Sequence, residues 1–295
     1  MQWRVIKVKI GFIGAGKVGT AFGIYLNNQG FAIHGYHSRT IESAQRAADL
    51  TDSIAENTID KLVKNSDIIF ITTNDDEIAS ICNFLVEENL LSKGQILVHM
   101  SGASSSKIFH RAKEKGCSVY SLHPLQSFAD IEKAVKDLKN TVFSLEGDED
   151  KIDILENMLK SMGNSYFKIE SDEKPIYHAA ACVVSNYLVS LMDYGLSLFE
   201  SIGINKTDGF KALHPLIEGS IKNIYELGTE QALTGPIVRG DTETILKHLK
   251  AIQNKKADSL KLYQTLGLET LNLAKRAKLR DENKEKELEN ILKEV

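Results

Sequence analysis

Two hydrophobic periods divide the chain. Through its first half, short apolar, β-rich runs at residues 8–13, 31–36, 67–72, 95–99, 118–121, 141–145 and 166–169 read as strands, with an edge-like piece near Ser53. Between them, residues 21–26, 41–49, 59–64, 78–86, 104–115 and 150–162 read as helices. The stretch Ile68-Ile69-Phe70-Ile71 has no polar alternation, the mark of a strand covered on both faces. Strands alternating with helices predict an α/β domain built on a doubly wound, mostly parallel sheet. Past Ser171 the β-rich runs almost vanish, glycines fall between helix-length segments, and apolar positions recur at three and four, which predicts an all-helical second domain. The polar, proline-bearing stretch around Ser171 to Pro175 places the boundary, giving domains at 1–172 and 173–295. Residues 279–295, dense in interleaved charges of both signs, read as a solvated, weakly held helix.

The first strand runs directly into Gly14-Ala15-Gly16-Lys17-Val18-Gly19, and a helix follows at once. Strand, glycines and helix in that order meet the context that a dinucleotide fingerprint requires, although the glycine spacing alone would also suit a ligand-free turn. Gly14 allows the tight turn, Gly16 keeps the backbone clear of a Cβ where a pyrophosphate would approach, and Gly19 lets helix pack on strand. The helix N-terminus then offers unpaired N–H groups and the positive end of its dipole to the phosphates.

At the end of the second strand an NAD site carries an Asp or Glu for the ribose hydroxyls. Here the chain reads His37-Ser38-Arg39-Thr40, with no carboxylate. The planar guanidinium of Arg39 and the hydroxyls of Ser38 and Thr40 suit a 2′-phosphate instead, so the expected cofactor is NADP. A charge-assisted hydrogen bond contributes about 1.5–3 kcal/mol, roughly a 10- to 100-fold preference. A solvated arginine opening the next helix is the plainer alternative. Thr73 and Asn74, where the 67–72 strand ends, fall at a strand's carboxyl end and are expected to contact the ribose or nicotinamide, or to cap the following helix.

Composition narrows the function. A net charge of -4 with Lys and Arg scattered among Asp and Glu leaves no footprint for nucleic acid. Three widely spaced cysteines, Cys82, Cys117 and Cys182, make no metal-like pair and point to a reduced, cytoplasmic compartment. The positively charged residues 1–9 lead into the first strand and lack a signal core, and no uninterrupted apolar run reaches the roughly 18–20 residues of a membrane span.

Four segments together resemble one family: Ile13 to Thr20, His123-Pro124-Leu125-Gln126-Ser127-Phe128, Ala179 to Tyr187, and Leu233-Thr234-Gly235-Pro236-Ile237-Val238-Arg239-Gly240-Asp241. It is the Rossmann-like oxidoreductases whose C-terminal half is a domain of unknown function, distant relatives of ketopantoate reductase, pyrroline-5-carboxylate reductase and prephenate dehydrogenase. The likeness spans nearly the whole chain. It implies a Rossmann-type domain that binds NADP, followed by an all-helical domain like that of 6-phosphogluconate dehydrogenase, a homodimer joined through the helical domain, and a small-molecule substrate taken between the domains.

The departures are as informative. In ketopantoate reductase and the β-hydroxyacid dehydrogenases a catalytic lysine stands four residues before an asparagine; aligning that asparagine on Asn186 puts Cys182 where the lysine would be. One turn earlier is His178, so a single helix would align His178, Cys182 and Asn186 on one face. His178 is therefore either a proton carrier or a packed histidine. By likeness to prephenate dehydrogenase, Ser101 and His123, each just after a strand, would reach the reacting hydroxyl, with His123 as general acid or base; a turn histidine with a capping serine is the alternative. Arg239, presented on a turn between helices, could clamp a substrate carboxylate with Asp241 beside it, or the two could pair locally.

Three functions fit these readings. The first is an NADP-dependent oxidoreductase acting on a small carbonyl, imine or hydroxyl compound. The second is a non-catalytic NADP(H)-binding redox sensor, supported by the missing lysine. The third is hydride exchange between NADP and a second cofactor such as a deazaflavin, for which no motif is visible.

Overall fold

The computed structural model describes residues 8–293, so most of the charged N-terminal segment, and the last two residues of the expected terminal helix, lie outside the described residues. In chain order the first half forms β1 (Lys9–Ile13), α1 (Lys17–Asn28), β2 (Ala32–His37), α2 (Ile41–Asp49), β3 (Ile54–Ala55), α3 (Ile59–Lys64), β4 (Ile68–Ile71) and α4 (Asp75–Glu87). It continues with β5 (Ile96–His99), a 3₁₀ turn (Ser106–Phe109) leading into α5 (His110–Glu114), β6 (Ser118–Pro124), α6 (Ile131–Leu138), β7 (Phe143–Gly147), α7 (Ile152–Ser161) and β8 (Tyr166–Lys168). The eight strands make one sheet in the order β3-β2-β1-β4-β5-β6-β7-β8. All neighbours are parallel except β6 and β7, where the chain turns back before β8.

Order reverses between β1 and β4, and the crevice at the carboxyl ends of strands at such a switch point is where α/β sheets bind ligands. The sheet is packed on both faces. Ile10, Phe12, Ile68 and Phe70 join one core with α1, α2, α6 and α7, while Ile13, Ile69, Ile71 and Leu97 join another with α3, α4 and α5. The polarity-free β4 is thus explained by its two buried faces. One element escaped the sequence reading: α6, where Asp130 caps the helix by accepting from Lys133 N–H, and which buries only Ala134 and Leu138. The 104–115 segment is less regular than expected, beginning as a 3₁₀ turn and ending as little more than one helical turn.

The chain separates into two compact units, residues 1–185 and 186–295. The division falls at Ser185 rather than at 172, because helix α8 (Lys174–Val184) is tied to the sheet through Lys174, whose Nζ donates to Ser101 O at 3.0 Å and to Ser121 Oγ at 2.7 Å.

The second unit is helical, as expected: α9 (Asn186–Glu200), α10 (Lys206–Ala232), α11 (Thr242–Lys256), α12 (Leu260–Ala277) and α13 (Glu282–Lys293), with α10 broken at Gly228 by a φ of 76°. Its core gathers Ile237, Ile245, Leu271, Ala274, Leu279, Leu288, Ile291 and Leu292. The terminal segment is therefore not weakly held. Charges dominate its composition, but Leu288, Ile291 and Leu292 fall on one face at three- and four-residue spacing and are buried. A further correction concerns residues 171–200: this helical run is long and apolar enough, in length and composition, to cross a membrane. Ser185, Asn186 and Asp193 interrupt its apolar residues, so it contains no unbroken apolar run of that length. One such helix is weak ground for a membrane protein, and its beginning is anchored by the buried Lys174.

Candidate active site

The glycine loop has the geometry its residues predict. Gly14 sits at φ 108°, left-handed, where a Cβ would meet the Thr72 carbonyl carbon at 2.8 Å, and its N–H donates to His37 O at 2.8 Å, pinning the loop to the end of β2. A Cβ on Gly19 would collide with Thr72 Oγ1, which itself donates to Gly14 O at 2.9 Å. Gly16 caps α1 with no side-chain hydrogen bond, and a Cβ there would meet nothing within 4 Å. The only glycine of the three with free space is thus the one that a phosphate would approach. Ala15 and Val18 pack against the core behind the loop. Lys17 reaches away, its Nζ donating to Ala129 O at 2.6 Å, so this residue offers its backbone rather than its ammonium.

Beside the loop, Arg39 is exposed and makes no ion pair or hydrogen bond among the described residues. Ser38 follows β2, and Thr40 opens α2, donating to Ser43 Oγ at 2.8 Å. At the end of β4, Thr73 Oγ1 is buried without a partner, and Asn74 stands at the N-cap of α4 with its side chain unused as a cap. A buried hydroxyl without a partner costs free energy unless something supplies one. Open space over Gly16, a guanidinium without a partner among the described residues and an orphaned hydroxyl line the carboxyl ends of β1, β2 and β4, and they fit a dinucleotide with a 2′-phosphate.

Ser101 and His123 are brought together at the ends of β5 and β6, but they are not equivalent. Ser101 Oγ donates to Asp75 Oδ2 at 2.6 Å and accepts the N–H groups of Ala103 and Ser104 at 3.2 and 3.1 Å. Its one proton is already used, so here the hydroxyl shapes the turn. The Ser101 N–H donates to His99 Nδ1 at 3.2 Å. That leaves the proton of His99 on Nε2, and burial, with the charge of Lys174 adding to it, pushes this ring down to about 3.

His123 Nδ1 lies 2.6 Å from the hydroxyl of Tyr177 on α8. Burial, then the positive charge of Lys174 and the proximity of His178, push His123 down to about 4, so the ring is neutral at physiological pH. Burial also raises Tyr177 above the ordinary tyrosine value, which keeps it a phenol. His178 stands with its ring centroid 6.0 Å from that of His123, its Nε2 3.5 Å from Cys182 Sγ and its Nδ1 buried without a partner. Gly102 makes room for both rings. A Cβ there would collide with His178 Nδ1 and lie 2.9 Å from His123 Nε2.

The expected alignment of His178, Cys182 and Asn186 on one helix face fails at Ser185. There φ -113° and ψ -76° end α8, and Asn186 begins α9 in the second unit, exposed. The histidine and cysteine remain neighbours; the asparagine belongs to another element. In the second unit Asp241 caps α11, accepting Thr244 N–H at 3.1 Å and Thr244 Oγ1 at 2.8 Å, while Arg239 is exposed on the preceding turn. Sequence reasoning passed over Asp75, Lys174 and Tyr177. Lys174 and Tyr177 open a helix whose start has the polar, proline-bearing composition of a linker, and Asp75 meets Ser101 only through the fold.

Residues 2–124 match the Rossmann-like domain family and residues 141–270 a domain of unknown function (DUF2520). The two matches together give a Rossmann-like domain followed by this second domain. Among solved structures, a Thermotoga maritima protein is 29% identical with a TM-score of 0.73, covering 90% of this chain and 98% of its own. A Bacteroides fragilis protein provisionally described as an NADP oxidoreductase is 22% identical with a TM-score of 0.70, covering 91% and 98%. A pyrroline-5-carboxylate reductase of Coxiella burnetii shares the fold at 16% identity and a TM-score of 0.60, covering 96% and 98%. No curated protein sequence matches the chain.

Proposed function

We propose that the protein is an NADP-dependent oxidoreductase acting on a small carbonyl, imine or hydroxyl compound. One observation carries this reading. A dinucleotide-shaped loop after β1, an Arg39 without a partner among the described residues, and the His123–His178 pair of β6 and α8 lie in the same unit and on the same sheet. Fold likeness to proteins described as an NADP oxidoreductase and as pyrroline-5-carboxylate reductase agrees with it.

The loop N–H groups of Gly14 to Gly19 would take the pyrophosphate, Ser38, Arg39 and Thr40 the 2′-phosphate, and Thr73 and Asn74 the ribose or nicotinamide end. When bound, the nicotinamide supplies or accepts hydride. The chain must move the accompanying proton, and an imidazole held beside Gly102, that of His123 or of His178, is placed to do so. Ser101 acts through the turn it holds. Arg239 remains the proposed carboxylate clamp of the second unit, with Asp241 holding its loop.

A second copy of the chain completes the proposal. Tyr187, Val189, Leu216, Ile221 and Tyr225 on α9 and α10 are all more than half exposed, and Tyr225 is 90% exposed. An apolar surface of this extent marks an interface, and a homodimer through the helical unit would cover it. Sedimentation should give twice the mass of the chain, and a monomer at micromolar concentration would refute this part. Function is tested by following NADPH oxidation across a panel of keto acids, aldehydes, ketones, cyclic imines and flavins. Steady consumption with one carbonyl or imine class is expected. Binding without consumption across the panel would favour a redox sensor, and consumption with flavins alone would favour exchange with a second cofactor.

A further inference from the structure

Lys174 is the most unusual residue of the molecule. It is 1% exposed, yet no carboxylate lies within ion-pair distance of its ammonium among the described residues. Burying a lysine is costly, and two neutral acceptors, Ser101 O at 3.0 Å and Ser121 Oγ at 2.7 Å, offset that only in part. Holding α8 to the sheet would not require a charge. The ammonium lies 5.7 Å from the centroid of the Tyr177 ring, within cation–π range, and the hydroxyl of that ring is 2.6 Å from His123 Nδ1. Ammonium, phenol and imidazole are therefore linked in series, from the buried ends of β5 and β6 to the face of Gly102.

We propose that Lys174 and Tyr177 are positioning residues that turn His123 into the end of a proton relay. A cation on the ring face draws electron density from the phenol, making its O–H a better donor and its oxygen a poorer acceptor. Tyr177 therefore donates to Nδ1, and His123 carries its own proton on Nε2, the nitrogen beside Gly102. In the reducing direction the Nε2–H bond breaks as that proton passes to the substrate oxygen or nitrogen, and the Tyr177 O–H bond breaks as its proton passes to Nδ1. The imidazole stays neutral throughout. The charge left behind is a phenolate beneath the Lys174 ammonium, and solvent returns the proton.

Such a relay explains a carrier whose own basicity is low. Burial and the Lys174 charge disfavour imidazolium, so His123 alone is a poor store of a proton, whereas a ring that takes one proton as it gives another needs no imidazolium. Burial pushes Lys174 down to about 8, with Glu146 and then Asp75 holding it up, so the ammonium persists at neutral pH. The titratable groups around His123 are Tyr177, His178 and Lys174 on α8 and His99 on β5; Asp75 on α4 and Glu146 on β7 act on it through Lys174.

The inference rests on His123 as the proton-handling group, but its test does not require turnover. Nitrogen NMR of the histidine rings, assigned with His123→Asn, should show His123 neutral from pH 5 to 9 (about one unit above its depressed value and upward) with the proton on Nε2. In Tyr177→Phe the two tautomers should mix, and in Lys174→Met the titration should move up by roughly one unit. A wild-type ring that titrates near the ordinary histidine value, or that carries its proton on Nδ1, overturns the relay without any variant. A folded Lys174→Met with unchanged titration removes Lys174 from it. Should Lys174→Met fail to fold, the wild-type tautomer still decides. A failed NADPH panel would leave these ring measurements intact and would count against the enzyme reading alone.

Discussion

The nucleotide half and the histidine half of the candidate site sit on one sheet but are built on opposite principles. Around β1, β2 and β4 the groups are left free: Gly16 faces open space, Arg39 has no partner among the described residues and Thr73 Oγ1 is an orphan. Around β5, β6 and α8 nearly every polar group is taken, Ser101 by Asp75 and two N–H groups, His123 by Tyr177 and Lys174 by two oxygens. Donors left free suit the anion proposed for the first region, whereas donors spent on a histidine suit the proton carrier proposed for the second, held in one orientation. His99 Nε2 on β5 and His178 Nδ1 are exceptions in the second half, both unpartnered, and the latter faces the space that Gly102 keeps.

The largest effect that would sharpen the contrast is chemical. His123→Asn should lower turnover by about 10² to 10⁴ while leaving NADPH affinity unchanged, the range for a positioned general acid or base. Steady-state rates and a binding titration on the same preparation check it, with His178→Asn and the double variant alongside. Wild-type turnover in the double variant would make both rings structural.

A smaller effect should divide in role two glycines only two residues apart. Gly14→Ala puts a Cβ at φ 108° against the Thr72 backbone and should cost about 1–3 kcal/mol of stability or more, read from chemical denaturation. Gly16→Val should fold with a native circular dichroism spectrum, because its Cβ meets nothing, and lose NADPH binding. A folded Gly16→Val that binds normally would move the phosphate site away from the loop.

The histidine half should also be the pH-sensitive one. His123 has a folded value near 4 against about 6.5 unfolded, so between these values the unfolded chain binds the extra proton. Stability is therefore full above pH 6.5 and is lost as pH falls toward 4, by up to about 3 kcal/mol. Thermal melts of wild type and His123→Asn across this window check the sign: the variant should lose less. Identical pH dependence would show that His123 is not buried as described.

The same contrast explains what could be read in advance. The glycine fingerprint lies within a few residues, and the arginine that replaces a carboxylate closes the next strand, so local spacing carries the nucleotide half. The histidine half joins Asp75, Ser101, His123 and Tyr177 across two strand ends and two helices, and no periodicity encodes that juxtaposition. Lys174-Pro175 looked like a linker because a polar residue before proline usually marks one, although proline is equally at home in a helix's first turn, where it stands here. In the second unit the three-and-four spacing gave the helices but not their partners. Leu288, Ile291 and Leu292 were outweighed by the charges around them, and the break at Ser185 carries neither proline nor glycine to announce it.

The central claim is that the free groups of the nucleotide half await NADP(H). Calorimetric titration of NADPH and NADH into wild type and Arg39→Ala tests it most directly. The account predicts that wild type prefers NADPH and that the variant loses roughly 10- to 100-fold of that preference while binding NADH as before. Equal affinities in wild type, or a preference that survives Arg39→Ala, would contradict it.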